Sequence, residues 1–287
     1  MMDIAIASGK GGTGKTLMAV SLASWCAHEG MSVALLDCDV EEPNADLFLK
    51  STIDAREPVN VLVPRVNDGK CTGCGECEKI CAYSAIVLVK GKPLVLDDMC
   101  HSCGGCYLVC PERAITEVPR EIGAVSSGRS GAILYAGGLL NIGEPMSPPA
   151  IRETKRRHRS ADIRVIDCPP GTSCPVIESV RGSTFVVLVT EPTPFGLNDL
   201  ALSVEMCRAM DLPFGVVINR DGIGDGGVRE YCVAQEIPVL ATVPYSRELA
   251  ESYAKGDAAL FMLHHHTDGL GAIMRRAERF NGRCVLS

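Results

Sequence analysis

Eight cysteines fall in two near-copies of one run, and no other feature limits the fold of this 287-residue chain so tightly. The first copy is Cys71-x2-Cys74-x2-Cys77-x3-Cys81, and the second is Cys100-x2-Cys103-x2-Cys106-x3-Cys110, followed by Pro111. Fifteen cysteines in a small secreted chain would indicate a disulfide framework. This chain is not small, and Met1 to Ser8 lacks a basic start and reads as a strand rather than a secretion signal. The expected compartment is the cytoplasm, where thiols stay reduced and clustered cysteines bind metal.

A second motif lies near the start, where Gly9-Lys10-Gly11-Gly12-Thr13-Gly14-Lys15-Thr16 follows the apolar run Ile4-Ala5-Ile6-Ala7 and precedes a helical pattern. A glycine-rich turn between strand and helix aims backbone N–H groups at phosphate oxygens. Lys15 is placed for the β- and γ-phosphates of ATP and the Thr16 hydroxyl for Mg²⁺. Further β-branched runs at Val33–Leu36, Val165–Ile166, Phe185–Val189, Val216–Ile218 and Val239–Ala241 alternate with helical patterns. Continuously apolar strands alternating with helices predict an α/β fold, a doubly wound and mainly parallel sheet covered on both faces.

The alternation breaks between Pro58 and Val118, the stretch that holds both cysteine runs. Each run is followed by a small apolar strand, Ala85-Ile86-Val87 and Ala114-Ile115-Thr116, so the stretch reads as an internal duplication. The predicted organisation is a larger domain of residues 1–57 and 119–287 interrupted by an inserted module of residues 58–118. A net charge of −7 and a 5% aromatic content with one Trp25 argue against nucleic acid as a partner. The longest apolar stretch, Gly131 to Gly143, is too short and glycine-rich to cross a bilayer, so no stable membrane insertion is expected.

Lys10 makes the phosphate loop distinctive, because Lys-Gly-Gly-x-Gly-Lys-Thr resembles the deviant Walker A loop of the MinD/ParA/Mrp superfamily, which includes the nitrogenase iron protein. Leu35-Leu36-Asp37-Cys38-Asp39, Val165-Ile166-Asp167-Cys168-Pro169-Pro170-Gly171-Thr172 and Val217-Ile218-Asn219-Arg220 follow in the same order as that family's motifs. The resemblance implies a homodimer closing around ATP, with Lys10 reaching the partner's phosphates. It implies that Asp39 orients the attacking water, Asp167 holds the magnesium hydration shell, and the Gly171 N–H senses the γ-phosphate. Asn219 and Pro244 would then lie near the adenine. Glu41, Glu42 and Pro43 are left as a solvated turn or helix start.

The cysteine spacing is similar to that of bacterial ferredoxins with two 4Fe–4S clusters, in which the fourth cysteine of each run serves the other cluster. That resemblance assigns Cys71, Cys74, Cys77 and Cys110 to one cluster, and Cys100, Cys103, Cys106 and Cys81 to the second. Zinc also suits two-residue cysteine steps, but the duplicated three-residue step and Pro111 favour iron–sulfur. Ala82 stands where a second proline would be expected, which removes no ligand. The whole chain thus resembles MinD-superfamily ATPases carrying an inserted bacterial-ferredoxin-like α+β domain.

The expected function is an ATP-hydrolysing iron–sulfur protein, slow or stimulated by its partner, that gates electron transfer to a redox protein. One alternative is a scaffold or carrier of Mrp type that delivers clusters to acceptor proteins; another is a MinD-like spatial organiser. Cys174 lies where relatives hold a bridging cluster, but the insert already supplies two. His264-His265-His266 reads as a surface run. Arg152, Lys155, Arg156, Arg157 and Arg159 read as a charged helix face. In the last helix Leu270, Ile273, Met274, Ala277 and Phe280 form a stripe that packs on the sheet. Cys284-Val285-Leu286-Ser287 matches a prenylation box and is treated as chance.

Overall fold

A computed structural model describes residues 1–281, and the four-residue prenylation box that begins at Cys284 lies outside them. Strand β1 (Met2–Ala7) leads through the glycine loop to α1 (Lys15–His28), and β2 (Val33–Asp37) leads to α2 (Ala45–Leu49). The long β3 (Thr52–Val66) then carries the chain out to α3 (Glu76–Ile80), the hairpin β4 (Ile86–Val89) and β5 (Lys92–Val95), a 3-10 turn at Asp97–Met99, and α4 (Gly105–Val109). It returns along β6 (Ile115–Ser130) and turns into β7 (Ile133–Leu140). Alternation resumes with α5 (Ser147–Lys155), β8 (Ile163–Asp167), α6 (Cys174–Val180), β9 (Phe185–Thr190), α7 (Pro194–Ala209), β10 (Phe214–Asp221), α8 (Gly227–Ala234) and β11 (Val239–Pro244). Three helices, α9 (Arg247–Lys255), α10 (Ala258–His265) and α11 (Thr267–Glu278), finish the described chain.

The main sheet has nine strands in the order β11-β10-β9-β1-β8-β2-β7-β6-β3. Pairing is parallel from β11 through β7 and antiparallel for β7-β6-β3. Apolar residues alternate between two cores because successive strand side chains point to opposite faces. In β1, Ala5 and Ala7 join the core under α5, α6, α7 and α8, while Ile4 and Ile6 join the core under α1, α10 and α11. Leu270, Ile273, Met274 and Ala277 of α11 are buried in that second core, as the stripe predicts. Among the described residues no helix is long and apolar enough to cross a membrane.

The sheet departs from the sequence reading at its outer edge. The prolines and the glycine-serine run around residues 58–64 and 119–131 suggest breaks, yet β3 and β6 are long paired strands through them. Pro58 and Pro64 are tolerated because β3 is the edge strand, and Pro119 because β7 has already left β6 at Gly123. Ala114-Ile115-Thr116 accordingly opens β6 of the main sheet instead of forming a small strand beside Ala85-Ile86-Val87.

The basic run also differs from a simply solvated face. Lys155 Nζ donates to the carbonyls of Glu178, Ser179 and Arg181 at 3.0, 2.6 and 2.8 Å, closing the end of α6. Arg152, Arg156 and Arg157 each pair with a glutamate. Beneath them the buried Arg164 guanidinium grips Asp3 with two hydrogen bonds and donates to the Lys155 carbonyl at 2.7 Å. Removing one partner of a buried ion pair strands the other charge without water. Asp3→Ala is expected to destabilise the fold by about 3–5 kcal/mol, read from the urea midpoint of the anaerobically prepared protein; an unshifted midpoint refutes it.

Candidate functional site

The phosphate loop joins β1 to α1 at the carboxyl end of the sheet, the edge at which open parallel sheets place ligands. Gly14 caps α1 with φ +95, and a Cβ there would come within 2.3 Å of the Asn219 amide nitrogen. That amide donates to the Thr13 carbonyl at 2.8 Å, so β10 props the loop directly. Gly11 and Gly12 face open space, where a Cβ would meet nothing within 4 Å.

A cavity of about 640 Å³ opens over this loop, lined by Gly11, Gly12, Gly14, Lys15, Thr16, Asp39, Asn219 and Pro244. The sequence reading named all eight. Glu42, Asn44, Tyr245 and Tyr253 also line it, so Glu42 is part of the pocket wall and not only of a solvated turn. Gly9, Lys10, Thr13, Asp167 and Gly171 stand outside the lining. Lys10 pairs with Glu191 of its own chain at 3.2 Å, and Glu191 also takes Arg220 at 2.7 Å. The Gly171 N–H donates to the Ser8 carbonyl at 3.0 Å and is therefore engaged within the protein.

Asp167 ends β8 directly beside Asp37, its register partner on β2. Both carboxyls are fully buried. Asp37 accepts from the N–H groups of Asp39, Asn44 and Ala45 at 3.1, 3.0 and 2.9 Å, fastening the loop that carries Asp39. Neither oxygen of Asp167 meets a partner at hydrogen-bonding geometry. Burial, and for Asp37 the Asp167 carboxylate itself, push both acids above the ordinary carboxylate range. The Thr16 hydroxyl and Lys15 ammonium favour ionised Asp167 in opposition. Burial likewise lifts Asp39 to about 6, against the pull of Lys15.

An unpartnered buried carboxyl beside Thr16, beneath a glycine cradle and a buried lysine, suits Mg²⁺ with a nucleotide polyphosphate. Asp37 was quoted in the sequence only as a strand end, because nothing in one sequence shows which acid of Asp-Cys-Asp turns inward. Its alternation with Asp39 was the available signal. Glu191 gave no signal.

The two cysteine runs fold alike. Gly73 and Ser102 occupy the left-handed region at matching positions, as do Gly75 and Gly104, and Ser84 and Arg113. Cys81 Sγ accepts from the Ala85 N–H and Cys110 Sγ from the Ala114 N–H, both at 3.3 Å. One small pocket is lined by Cys71, Cys74, Cys77 and Cys110. A second is lined by Cys81, Cys100, Cys103 and Cys106. The fourth thiol of each run thus faces the other run's pocket. Among the described residues no three Cys, His, Asp or Glu side chains converge on a single-ion position; the thiols surround a volume instead.

Burial pushes the Cys77, Cys100 and Cys106 thiols up, so a bound cation would have to hold their thiolate forms. Cys38 and Cys168 are buried and raised further, whereas Cys174 is exposed at the start of α6. Burial therefore accounts for Cys168 and not for Cys174.

Residues 4–260 match the family model described as the CobQ/CobB/MinD/ParA nucleotide binding domain. The chain belongs to this CobQ/CobB/MinD/ParA family. An uncharacterised protein of Methanocaldococcus jannaschii is 31% identical over 269 residues, covering 91% of this chain and 92% of that protein. The iron–sulfur cluster carrier protein of Pyrococcus horikoshii is 24% identical, covering 96% of this chain and 84% of the carrier. Among solved structures, the cell division ATPase MinD of Pyrococcus furiosus superposes with a TM-score of 0.59 at 18% identity, covering 96% and 98% of the two chains. The fold is that of a mainly parallel, MinD-like member of the family.

The raised acids set a pH dependence for this family member. A carboxyl held above its unfolded value keeps an extra proton in the folded state, so its stabilising protonation is lost as pH rises through the raised value. For Asp167 the window runs upward from about 4, the unfolded value, to about 7. Asp167→Asn is expected to raise the melting temperature of nucleotide-free protein, by more at pH about 8 than at pH about 5. Calorimetry at the two pH values checks this; an equal or reversed gain contradicts it.

Proposed function

We propose that this protein binds and hydrolyses ATP and holds two 4Fe–4S clusters, using the nucleotide cycle to gate electron transfer to a redox protein. One observation carries the reading: two four-cysteine pockets stand in the same chain as a phosphate loop, at the end of strands β3 and β6 that belong to its sheet. The inserted unit is taken as residues 58–118, with residues 1–57 and 119–287 as the nucleotide-binding body. Lys15 would neutralise the β- and γ-phosphates, Thr16 and Asp167 would hold the hydrated Mg²⁺, and Asp39 would orient water. Asn219 and Pro244 would border the base.

Lys10 would leave Glu191 for the phosphates of a second copy, making the active form a homodimer, and Gly171 would exchange its bond to Ser8 for the γ-phosphate. Catalysis would rest on positioning and charge, as expected for phosphoryl transfer. Clusters in the two pockets would supply one-electron couples. The residues contribute the thiolate ligands and the N–H donors of Ala85 and Ala114, which tune a sulfur-bound redox centre.

A second reading is favoured by the relatives named iron–sulfur cluster carrier proteins: the clusters would be cargo for acceptor proteins. Incubation with an apo-acceptor separates the two, since a carrier loses its absorbance to the acceptor and an electron carrier retains it.

Two substitutions test the core of the proposal. Lys15→Ala should lower ATP hydrolysis by at least about 100-fold, on the scale of lost transition-state charge stabilisation, while leaving the brown chromophore. Loss of both would deny that the two sites are separable, and unchanged hydrolysis would remove Lys15 from its role. Cys74→Ser should reduce iron bound per chain and spare nucleotide binding measured by calorimetry. Undiminished iron, or protein purified anaerobically with zinc alone, would defeat the ligand assignment.

A further inference from the structure

The two cysteine pockets are chemically alike but mechanically unlike. β7 pairs with β6 only from Gly123 to Ser130, whereas β3 stays paired with β6 out to Val66 and Ile115. Beyond Gly123 the chain therefore continues as a two-stranded ribbon. The pocket with Cys71 meets the ribbon at its tip, at Val66 and Ile115. The pocket with Cys100 meets it nearer the body, at Leu62 and Pro64.

Packing divides them in part. Cys100 and Ala85 belong to the buried core that contains Val59, Val61, Val63 and Met146, and Cys81 packs against it. Cys77 and Cys110 belong instead to a small cluster with Ile86 and Ile115, which Cys81 and Cys106 of the inner pocket also touch. Polar links reinforce the inner pocket. Arg120 of β6 forms a two-pronged bridge to the buried Glu144 at 2.6 and 3.3 Å and reaches Asp98 at 3.7 Å. Asp97 takes both prongs of Arg65 at 2.7 and 2.6 Å. The Leu62 N–H donates to Ser102 Oγ at 3.0 Å. Asp97 and Asp98 lie just before Cys100, so the Arg120–Asp98, Arg65–Asp97 and Leu62–Ser102 links all end on the loop that carries Cys100 and Cys103.

The other end of this brace lies at the nucleotide cavity. Asp39 lines that cavity. The carbonyl of the next residue, Val40, accepts from the Leu140 N–H at 2.9 Å. Leu140 ends β7 and opens the loop that contains Glu144. These contacts trace a route from Asp39 by a backbone hydrogen bond to Leu140, then through Glu144 and Arg120 to Asp98, an exposed carboxylate just before Cys100. Packed cores and bridges with discrete arrangements are what transmit a shift between sites.

We propose that the pocket of Cys81, Cys100, Cys103 and Cys106 is the one that answers to nucleotide, and that Arg120 and Glu144 are the positioning residues that carry the answer. This deepens the function proposed above and rests on it. The outer pocket, whose thiols have no place in the large core, keeps its geometry through the cycle.

The test is hydrogen–deuterium exchange on the anaerobically prepared full-length protein, with and without Mg-ATP. Residues 97–106 should change their exchange rate by about five-fold, the lower end of ordinary coupling between sites, and residues 71–77 should not change. Glu144→Gln should remove most of that response while nucleotide affinity, from calorimetry, stays at the wild-type value. Should that variant fold poorly, Arg120→Lys, which keeps the charge and loses the fork, provides the same comparison. A full response in either folded variant overturns the inference alone, as does a response confined to residues 71–77 or absent from both segments of nucleotide-bound protein. Failure of the wild-type chain to bind ATP removes the proposed function and the inference with it.

Discussion

Two carboxyls buried side by side beneath the phosphate loop govern the rest of this molecule. Asp37 and Asp167 end neighbouring parallel strands in register, so the sheet itself forces them together. Taking charge out of water is costly unless it is paired, and here the two acids meet that cost differently. Asp37 accepts three backbone N–H groups and thereby fixes the loop of residues 39–45. Asp167 has no such partner. The end of the sheet is electrostatically incomplete, and under the proposed function a cation delivered with the nucleotide would complete it. Because Asp37 feels the charge of Asp167, that binding would then be felt at the loop anchored on Asp37.

The second constraint is geometric. A parallel sheet has no place for a cysteine-rich module within its helical crossovers, since those must cover its faces. This chain solves the problem at the edge, where two long antiparallel strands leave the sheet as a ribbon. A lone two-stranded ribbon is marginal in water. It is stabilised here by apolar contact along Val59, Val61 and Val63 and by the Arg120–Glu144 bridge on the opposite strand. The brace reaches one cysteine loop and not the other, so the duplication in sequence does not produce equivalence in the fold.

What was legible in the sequence was what local spacing dictates. The cysteine steps, the glycine loop and the apolar runs each encode their own geometry within a few residues, whereas the crosswise lining of the two pockets was an expectation from the ferredoxin resemblance and not from spacing. The β3–β6 ribbon was not legible, because prolines and glycines mark breaks in general and only the sheet order reveals that they lie at an edge. The inward turn of Asp37 and the engagement of Lys155 were hidden for a related reason. Each depends on which neighbouring element its side chain meets, α6 for Lys155 and β8 for Asp37. Lys155 sits in a run of arginines that looks solvated, yet its ammonium closes three carbonyls at the end of α6.

The position of Lys10 follows from the same reasoning about charge. Glu191 is nearly buried and holds two cations, Lys10 at 3.2 Å and Arg220 at 2.7 Å. Arg220 is the shorter contact, and its carboxylate partner would remain paired if Lys10 left. The Lys10 side chain is 34% exposed and the Glu191 side chain 8%, so the pair is only partly screened, and the Arg220 contact that stays would offset its loss. Release of Lys10 toward phosphates outside its own subunit, as the proposed dimer requires, would leave no buried charge unpaired behind it.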